Sequence, residues 1–350
     1  MHTRILKVDQ VNPDPGVVDQ AAGIIRNGGT VVFPTETVYG LGANALSEPA
    51  SEKIFLAKGR PPDNPLIVHI SSLSQLDQLC TEIPVKARRA MEFIWPGPVT
   101  MILKRTNMVS GAVTAGLPTV AVRMPANPLA LALIEKSGVP IAAPSANLAT
   151  RPSIVDSSDA ISEFSGLVDM ILDAGRTYFG IESTIVNMTV EPPVMLRPGV
   201  LSPEDLEPFL GKVAYNPEAI EIAGDETPMS PGMKYTHYSP RKPLVLVTDM
   251  KIFRKIPEIY RNVSMIGTDQ SIEGLSGRNL PLGDEARPYE VASNIFKAFR
   301  LLDDTGSRCG FIHVLQERGI GIAVMNRIRK ASRFTVSDEE ELKDVMSILQ

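Results

Sequence analysis

Cysteine is almost absent from this chain. Two occur in 350 residues, Cys80 and Cys309, far apart in sequence. That excludes a disulfide framework and a cysteine-built metal site, and it fits a reducing compartment. Aromatic residues are also scarce, at 5% with a single tryptophan. A large excess of one charge is missing too. The formal net charge is −5, all of it carried by residues 1–210, and the remainder is neutral. No basic slab for a nucleic-acid backbone is present, so any anion site must be a local cluster. No apolar run reaches the roughly 18 to 20 residues that span a bilayer. The opening "MHTRILKVDQ" has no apolar stretch behind its charges and does not read as a signal peptide. The expectation is a cytoplasmic protein that neither crosses a membrane nor binds nucleic acid stably.

Several standard catalytic signatures are missing as well. No phosphate-binding loop with Gly-Lys-Ser/Thr occurs. "GLGANA" and "GIGIAV" each supply two glycines of a dinucleotide fingerprint without the third. No His-Glu-x-x-His or paired-cysteine spacing is present. A nucleotide enzyme with this sequence needs a phosphate site of another kind.

What is present is an alternation of short apolar strands and helices. "NPDPGVVDQAAGIIRNGG" predicts a helix capped by Asp14, with Pro15 in its first turn and glycines at 28 and 29 ending it. Thr30 to Phe33 predicts a short strand stopped by Pro34, followed by the polar, glycine-rich "TETVYGLGAN". "SEPASEKIFLAKG" predicts a second helix that stops at Gly59. "PLIVHI", "VTMILKR", "TVAVRMP", "PIAAPSAN", "DMILDAG" and "STIVNMT" predict further strands, most of them ending in a polar turn. Interleaved strands and helices argue an α/β sheet, mixed rather than purely parallel, with its site at the strand ends. Length argues two domains. The boundaries read as 1–210, a Pro-, Gly-, Met- and Tyr-rich linker over 211–240, and a smaller Rossmann-like α/β domain over 241–350. In that second domain "PLVLVTD", "VSMIGTD" and "GFIHVLQ" predict strands, while "RPYEVASNIFKAFRLLDD" and "GIGIAVMNRIRKAS" predict helices.

"AKGRPPDNPLIVHI" holds two cations, Lys58 and Arg60, before a proline-stiffened turn. A cation in the last turn of a helix offsets the helix dipole and is often nothing more, which explains part of Lys58 but not Arg60. A restrained backbone also aims Arg60 at little entropic cost, which suits an anion. His69 ends the next strand, where a lone histidine is commonly a satisfied, half-buried residue; that alternative stands. "PTETVYG" presents Thr35, Thr37, Tyr39 and Glu36. Arg123 closes a buried strand, where an arginine is usually paired or faces a ligand. "APSANLATRPS" presents Ser145, Asn147 and Ser153. "GIESTIV" presents Glu182, Ser183 and Thr184, and "LRPG" presents Arg197. Each is compatible with a plain turn. What they share is a strand end with an aimed polar group.

In order along the chain, "FPTETVYGLG", "KGRPPDNPL", "WPGPVTMIL", "VAVRMP", "APSAN" and "IESTIV…LRPG" closely resemble the YrdC-like domain of the threonylcarbamoyl-AMP synthase family. "SPGMKYTHYSP" and the second α/β domain resemble that family's long, two-domain form. The resemblance implies an open, twisted mixed sheet around a large, positively charged cavity. It implies condensation of L-threonine, bicarbonate or CO2, and ATP to threonylcarbamoyl-adenylate with release of pyrophosphate. Mg2+ would accompany ATP, with few protein ligands of its own. The product would pass to a separate transferase that modifies tRNA. By motif match, Lys58, Arg60, Ser145 and Asn147 form the catalytic set. ATP would be held by Lys58, Arg60, Asn64, Thr119, Ser145, Ser153, Arg197 and, from the linker over the cavity, Tyr235. Threonine would be held by Thr37, His69, Arg123, the Ala143 backbone and Ser183. Lys58 would face the triphosphate or the carbamate. Two rival readings fit the sequence less well. A basic cavity for RNA conflicts with the charge and the low aromatic content. A carbamoyl-transfer maturation factor would carry further acylphosphatase-like and zinc-finger modules that this sequence lacks.

Overall fold

The computed structural model describes residues 2–216, 228–229 and 238–349. The chain divides into two compact units. The larger comprises Met1–Ala149, Ser153–Tyr178 and Glu182–Tyr235, and the smaller comprises Thr150–Pro152, Phe179–Ile181 and Thr236–Gln350. Most of the linker expected over 211–240, including Tyr235, lies outside the described residues.

The larger unit is built on eleven strands: β1 (Arg4–Lys7), β2 (Val31–Pro34), β3 (Tyr39–Asn44), β4 (Ile67–His69), β5 (Cys80–Glu82), β6 (Val99–Arg105), β7 (Thr119–Arg123), β8 (Ile141–Ala142), β9 (Met170–Asp173), β10 (Thr184–Asn187) and β11 (Val194–Arg197). Their order is β1-β9-β2-β3-β8-β4-β7-β6-β10-β11, with β5 on β6. The sheet is mixed: β4 runs parallel to β7 and β10 parallel to β6, while β2–β3, β3–β8 and β6–β7 are antiparallel.

The period-two alternation of strands sorts side chains to its two faces. Val32 packs in one core cluster, and its neighbours Val31 and Phe33 pack in the other. That second cluster holds Ala21, Ala22 and Ile25 of the helix Pro15–Arg26, and Leu129, Ala130 and Leu133 of the helix Pro128–Ser137. Asp14 caps the first of these helices, accepting from the amides of Gly16 and Val17. Val68, Val120 and Val122 face the larger cluster, whereas Ile67, Ile102, Ala121, Ile185 and Leu196 form a small group of their own. Every second residue from that group onward, including His69 and Arg123, therefore shares its side of the sheet.

One segment departs from expectation. "YGLGAN" is strand β3 rather than a loop. Its glycines are needed because the strand lies against bulky neighbours. A Cβ on Gly42 would stand 2.6 Å from Phe33 Cε1 and 2.7 Å from Ile141 Cγ2. Here glycine marks close approach rather than a turn.

The smaller unit is a five-stranded parallel sheet of β12 (Leu244–Val247), β13 (Val263–Gly267), β14 (Arg278–Pro281), β15 (Cys309–His313) and β16 (Phe334–Val336), ordered β14-β13-β15-β12-β16. Strand β15 lies between β13 and β12, so the unit has the strand–helix alternation of a Rossmann-like sheet but not the classic Rossmann strand order. Strands β14 and β16 lie at the edges with partly exposed residues. They lack the apolar runs that announce the three central strands.

Candidate active site

The site begins at the C-terminal end of the helix Glu48–Lys58. Gly59 ends that helix in the left-handed region at φ 59°, the conformation glycine adopts most readily. The chain then turns through the two prolines, and Arg60 folds back onto its own loop. Its Nη2 donates to the carbonyls of Asn64 at 3.1 Å and Pro65 at 3.3 Å. The stiff segment thus fixes the arginine it follows.

Strand β4 then places Ile67 and His69 on one side, and its parallel neighbour β7 places Arg123 beside them, with His69 and Arg123 in register. Arg123 donates from Nη1 to Thr37 Oγ1 at 3.0 Å and from Nε to the Gly97 carbonyl at 3.3 Å. Its Nη2 lies 2.7 Å from Glu36 Oε1. Thr35 gives its proton to the Val38 carbonyl at 2.7 Å. In the 2.8 Å contact between the two hydroxyls, Thr37 is therefore the donor to Thr35. Burial and the adjacent Arg123 charge push the His69 pKa down to about 3, so the ring is neutral at physiological pH.

Ser183 is held from two directions. Its Oγ lies 2.8 Å from Thr100 Oγ1 and accepts from Arg197 Nη2 at 3.1 Å. Arg197 also donates to the Ser183 carbonyl from Nε and Nη2, at 3.1 and 3.0 Å. Its aim comes from a bulge. Ile185 pairs with Arg197 and Val186 with Met195, which leaves Leu196 as the extra residue and turns the end of β11. Ser145 donates to Asn147 Oδ1 at 2.6 Å, and Ser153 donates to Glu182 Oε1 at 2.5 Å.

Together these groups line one cavity of about 440 Å3, counting its open mouth. Thr37, Arg60, His69, Arg123, Ala143, Ser145, Ser183 and Arg197 are in its wall, with Thr35, Val38, Tyr39, Gly40, Ile67, Pro144 and Glu182. Three guanidinium groups and several hydroxyls face one space. Such a wall suits a ligand with several anionic groups and some hydroxyls.

Five expected residues are not in the wall: Lys58, Asn64, Thr119, Asn147 and Ser153. Asn147 and Ser153 reach it through Ser145 and Glu182, the partners just described. Lys58 departs furthest from expectation. It is not among the residues of the wall. Its ammonium donates to the carbonyls of Ser145, at 2.5 Å, and of Asn147. Burial and the nearby Arg60 lower its pKa well below the usual lysine value. In this structure Lys58 ties the helix end to the Ser145–Asn147 turn. The Ala143 amide is likewise committed, to the Ile67 carbonyl at 2.9 Å, so any backbone contact to a ligand there falls to its carbonyl. Three residues gained no role from the sequence: Glu36, Thr100 and Glu182. Glu36 and Glu182 sat inside flagged polar stretches. Thr100 lies in an apolar run, and only its two-residue offset from Ile102 marks its face.

The family described as Telomere recombination, the Sua5–YciO–YrdC group, matches residues 23–199. The family described as Threonylcarbamoyl-AMP synthase, C-terminal domain, matches residues 201–333. A threonylcarbamoyl-AMP synthase of Pyrococcus abyssi is 45% identical over 322 residues, which is 90% of this chain and 94% of the relative. The chain belongs to this family. Its member from Bacillus subtilis is 41% identical over 331 residues, 93% of this chain and 95% of the relative. A crystal structure of P. abyssi Sua5 complexed with L-threonine superposes with a TM-score of 0.88 at 44% identity, covering 95% of this chain and all of the other. The YrdC-like sheet and the second α/β unit are those of the family.

Proposed function

We propose that this chain makes L-threonylcarbamoyl-adenylate from L-threonine, bicarbonate or CO2, and ATP, releasing pyrophosphate. The observation that carries the reading is the convergence of Arg60, Arg123 and Arg197 on one cavity whose wall also holds Thr37, Ser145 and Ser183. The family supplies the reaction, and the wall supplies the groups it needs.

In this reading the threonine amine attacks the one-carbon substrate to give a carbamate, and the carbamate attacks the α-phosphorus of ATP. Both partners are anionic. Positioning and charge neutralisation are therefore the main barriers. Arg123 grips the threonine carboxylate, and Thr37 and Ser183 meet its hydroxyl. A site that hydrogen-bonds a hydroxyl rejects valine, because its own polar groups would otherwise go unpaired. Arg60 and Arg197 face the phosphates; Asn147 and Ser153 hold Ser145 and Glu182, the Asn64 carbonyl holds Arg60, and Thr119 is assigned to this end by the resemblance alone. His69, neutral, gives the amino-acid end a polar edge without a competing charge. Lys58 acts by holding the Ser145–Asn147 turn. No covalent intermediate is invoked. Ser145 donates to an amide oxygen and Ser183 sits between Thr100 and Arg197, whereas an activated nucleophile is paired with a base.

Among the described residues, no group of three or more potential ligands could hold a metal ion. Glu182 is the single carboxylate among the described wall residues. Mg2+ carried in on the triphosphate would take most of its ligands from phosphate oxygens and water, and Glu182 is the wall residue that could meet it. The ion would neutralise phosphate charge. The adenylate would then pass to a separate transferase acting on tRNA. No helix among the described residues is long and apolar enough to cross a membrane, in keeping with a cytoplasmic reaction.

Pyrophosphate release tests the reading. It should require threonine and ATP together and be insensitive to added RNA. Release that ignores threonine, or salt-dependent RNA binding without release, would overturn it.

A further inference from the structure

Beside Arg123 the structure leaves several buried polar atoms unsatisfied. Both carboxylate oxygens of Glu36, Nη2 of Arg123 and Nδ1 of His69 have no hydrogen-bond partner. Glu36 and Arg123 are each more than nine-tenths buried, and they approach to 2.7 Å as an ion pair outside hydrogen-bond alignment. Groups of this kind are rare in native structures, and each calls for a reason. Position 36 lies between β2 and β3, and its carboxylate is buried there. Any apolar side chain would cover the same ground without the desolvation penalty.

The charge count supplies the reason. His69 is neutral, so the charge set against the Arg123 guanidinium is the Glu36 carboxylate, 2.7 Å away and just outside the wall; Arg60, Arg197 and Glu182 are the other charged residues of the wall. A lone buried guanidinium attracts any carboxylate. A guanidinium cancelled by a neighbouring carboxylate has no net charge to offer, and it favours a ligand that is neutral overall but carries separated charges. Inside a dry wall such fields act at low effective dielectric and escape screening by salt.

We propose that Glu36 makes the Arg123 subsite selective for zwitterionic amino acids, by penalising ligands that bring a carboxylate without an ammonium. The proposal rests on reading this cavity as a threonine site and names what reads the amino-acid head. Glu36 does not itself line the cavity. It acts through Arg123 and through its own field, and it is a positioning residue for specificity.

The test compares two ligands on the full chain by titration calorimetry. One is L-threonine. The other is the 2,3-dihydroxybutanoate of matching configuration, which carries a hydroxyl in place of the ammonium and is a net anion. The wild-type chain should prefer threonine by about tenfold or more. Glu36→Gln should shrink that preference by about tenfold, chiefly by gaining affinity for the anion. ATP affinity should stay unchanged, and Glu36→Asp should restore the preference. An unchanged preference in the Gln variant would overturn the proposal, and so would an equal loss of affinity for both ligands and ATP, the signature of a purely structural residue. If the Gln variant does not fold, the wild-type comparison decides, and equal affinity for the two ligands overturns it. A wild-type chain that binds ATP but neither ligand would instead remove the threonine reading itself.

Discussion

Arg60 and Arg123 carry the same charge into one cavity, yet different parts of the chain hold them, and their replacement should read differently. Arg60 rests on the carbonyls of its own proline loop. Arg60→Ala should lower adenylate formation by roughly a hundredfold, seen in steady-state assays; full activity would place the phosphates elsewhere. Arg123 uses the geometry of its planar fork, with Thr37 and Gly97 fixing two of its nitrogens. Arg123→Lys keeps the charge but loses the fork. It should raise the threonine KM while leaving the ATP KM near its original value, and parallel changes in both would count against the assignment. His69 gives a pH prediction. Its folded pKa of about 3 lies below the ordinary 6.5, so the unfolded chain binds this proton more readily. The stability tied to the neutral ring is complete above about pH 6.5 and is lost as pH falls toward 3. His69→Gln should flatten that acid-side loss in denaturation midpoints. The ring of His69 should show no midpoint near 6.5 by NMR; a midpoint there would mean that it is solvated or paired.

At the scale of elements, legibility followed the physics of each signal. Val99–Arg105 was readable at its observed bounds, because five buried residues precede a charged end. The helices Pro15–Arg26 and Glu48–Lys58 announced themselves by caps and a terminal glycine. Strand β3 did not, because the feature that allows it, glycine against Phe33, also signals a turn. The bulge at Leu196 has no sequence mark, although it aims Arg197. The Glu36–Arg123 pair joins residues far apart in the chain, and no local pattern carries such a contact. The motif match directs Lys58 to the triphosphate or the carbamate, but a motif does not show which backbone groups its ammonium meets. Its carbonyl partners, Ser145 and Asn147, come from a distant loop. Position 199 gives the element-scale prediction. A Cβ on Gly199 would stand 2.2 Å from the Thr184 amide nitrogen and 2.4 Å from the Ser183 carbonyl carbon. Neither backbone atom can yield without moving Ser183. Gly199→Ala should cost about 1–3 kcal/mol of stability and weaken threonine binding with it. Unchanged calorimetric stability would show that β10 and β11 are looser than this packing implies.

For the whole molecule, each unit has its own sheet and its own core. A fragment of residues 1–210 should therefore unfold cooperatively in calorimetry; a broad, non-cooperative transition would show that this core depends on the rest of the chain. The family relation was legible because six short motifs occur in order across the larger unit, which composition alone does not reveal. If one cavity joins threonine, a one-carbon unit and ATP, labelled bicarbonate must enter an adenylate there. The full chain is incubated with ATP, Mg2+, labelled bicarbonate and each amino acid in turn. The prediction is a labelled adenylate with threonine alone. Label in an adenylate with every amino acid, or no labelled adenylate with threonine, would contradict it.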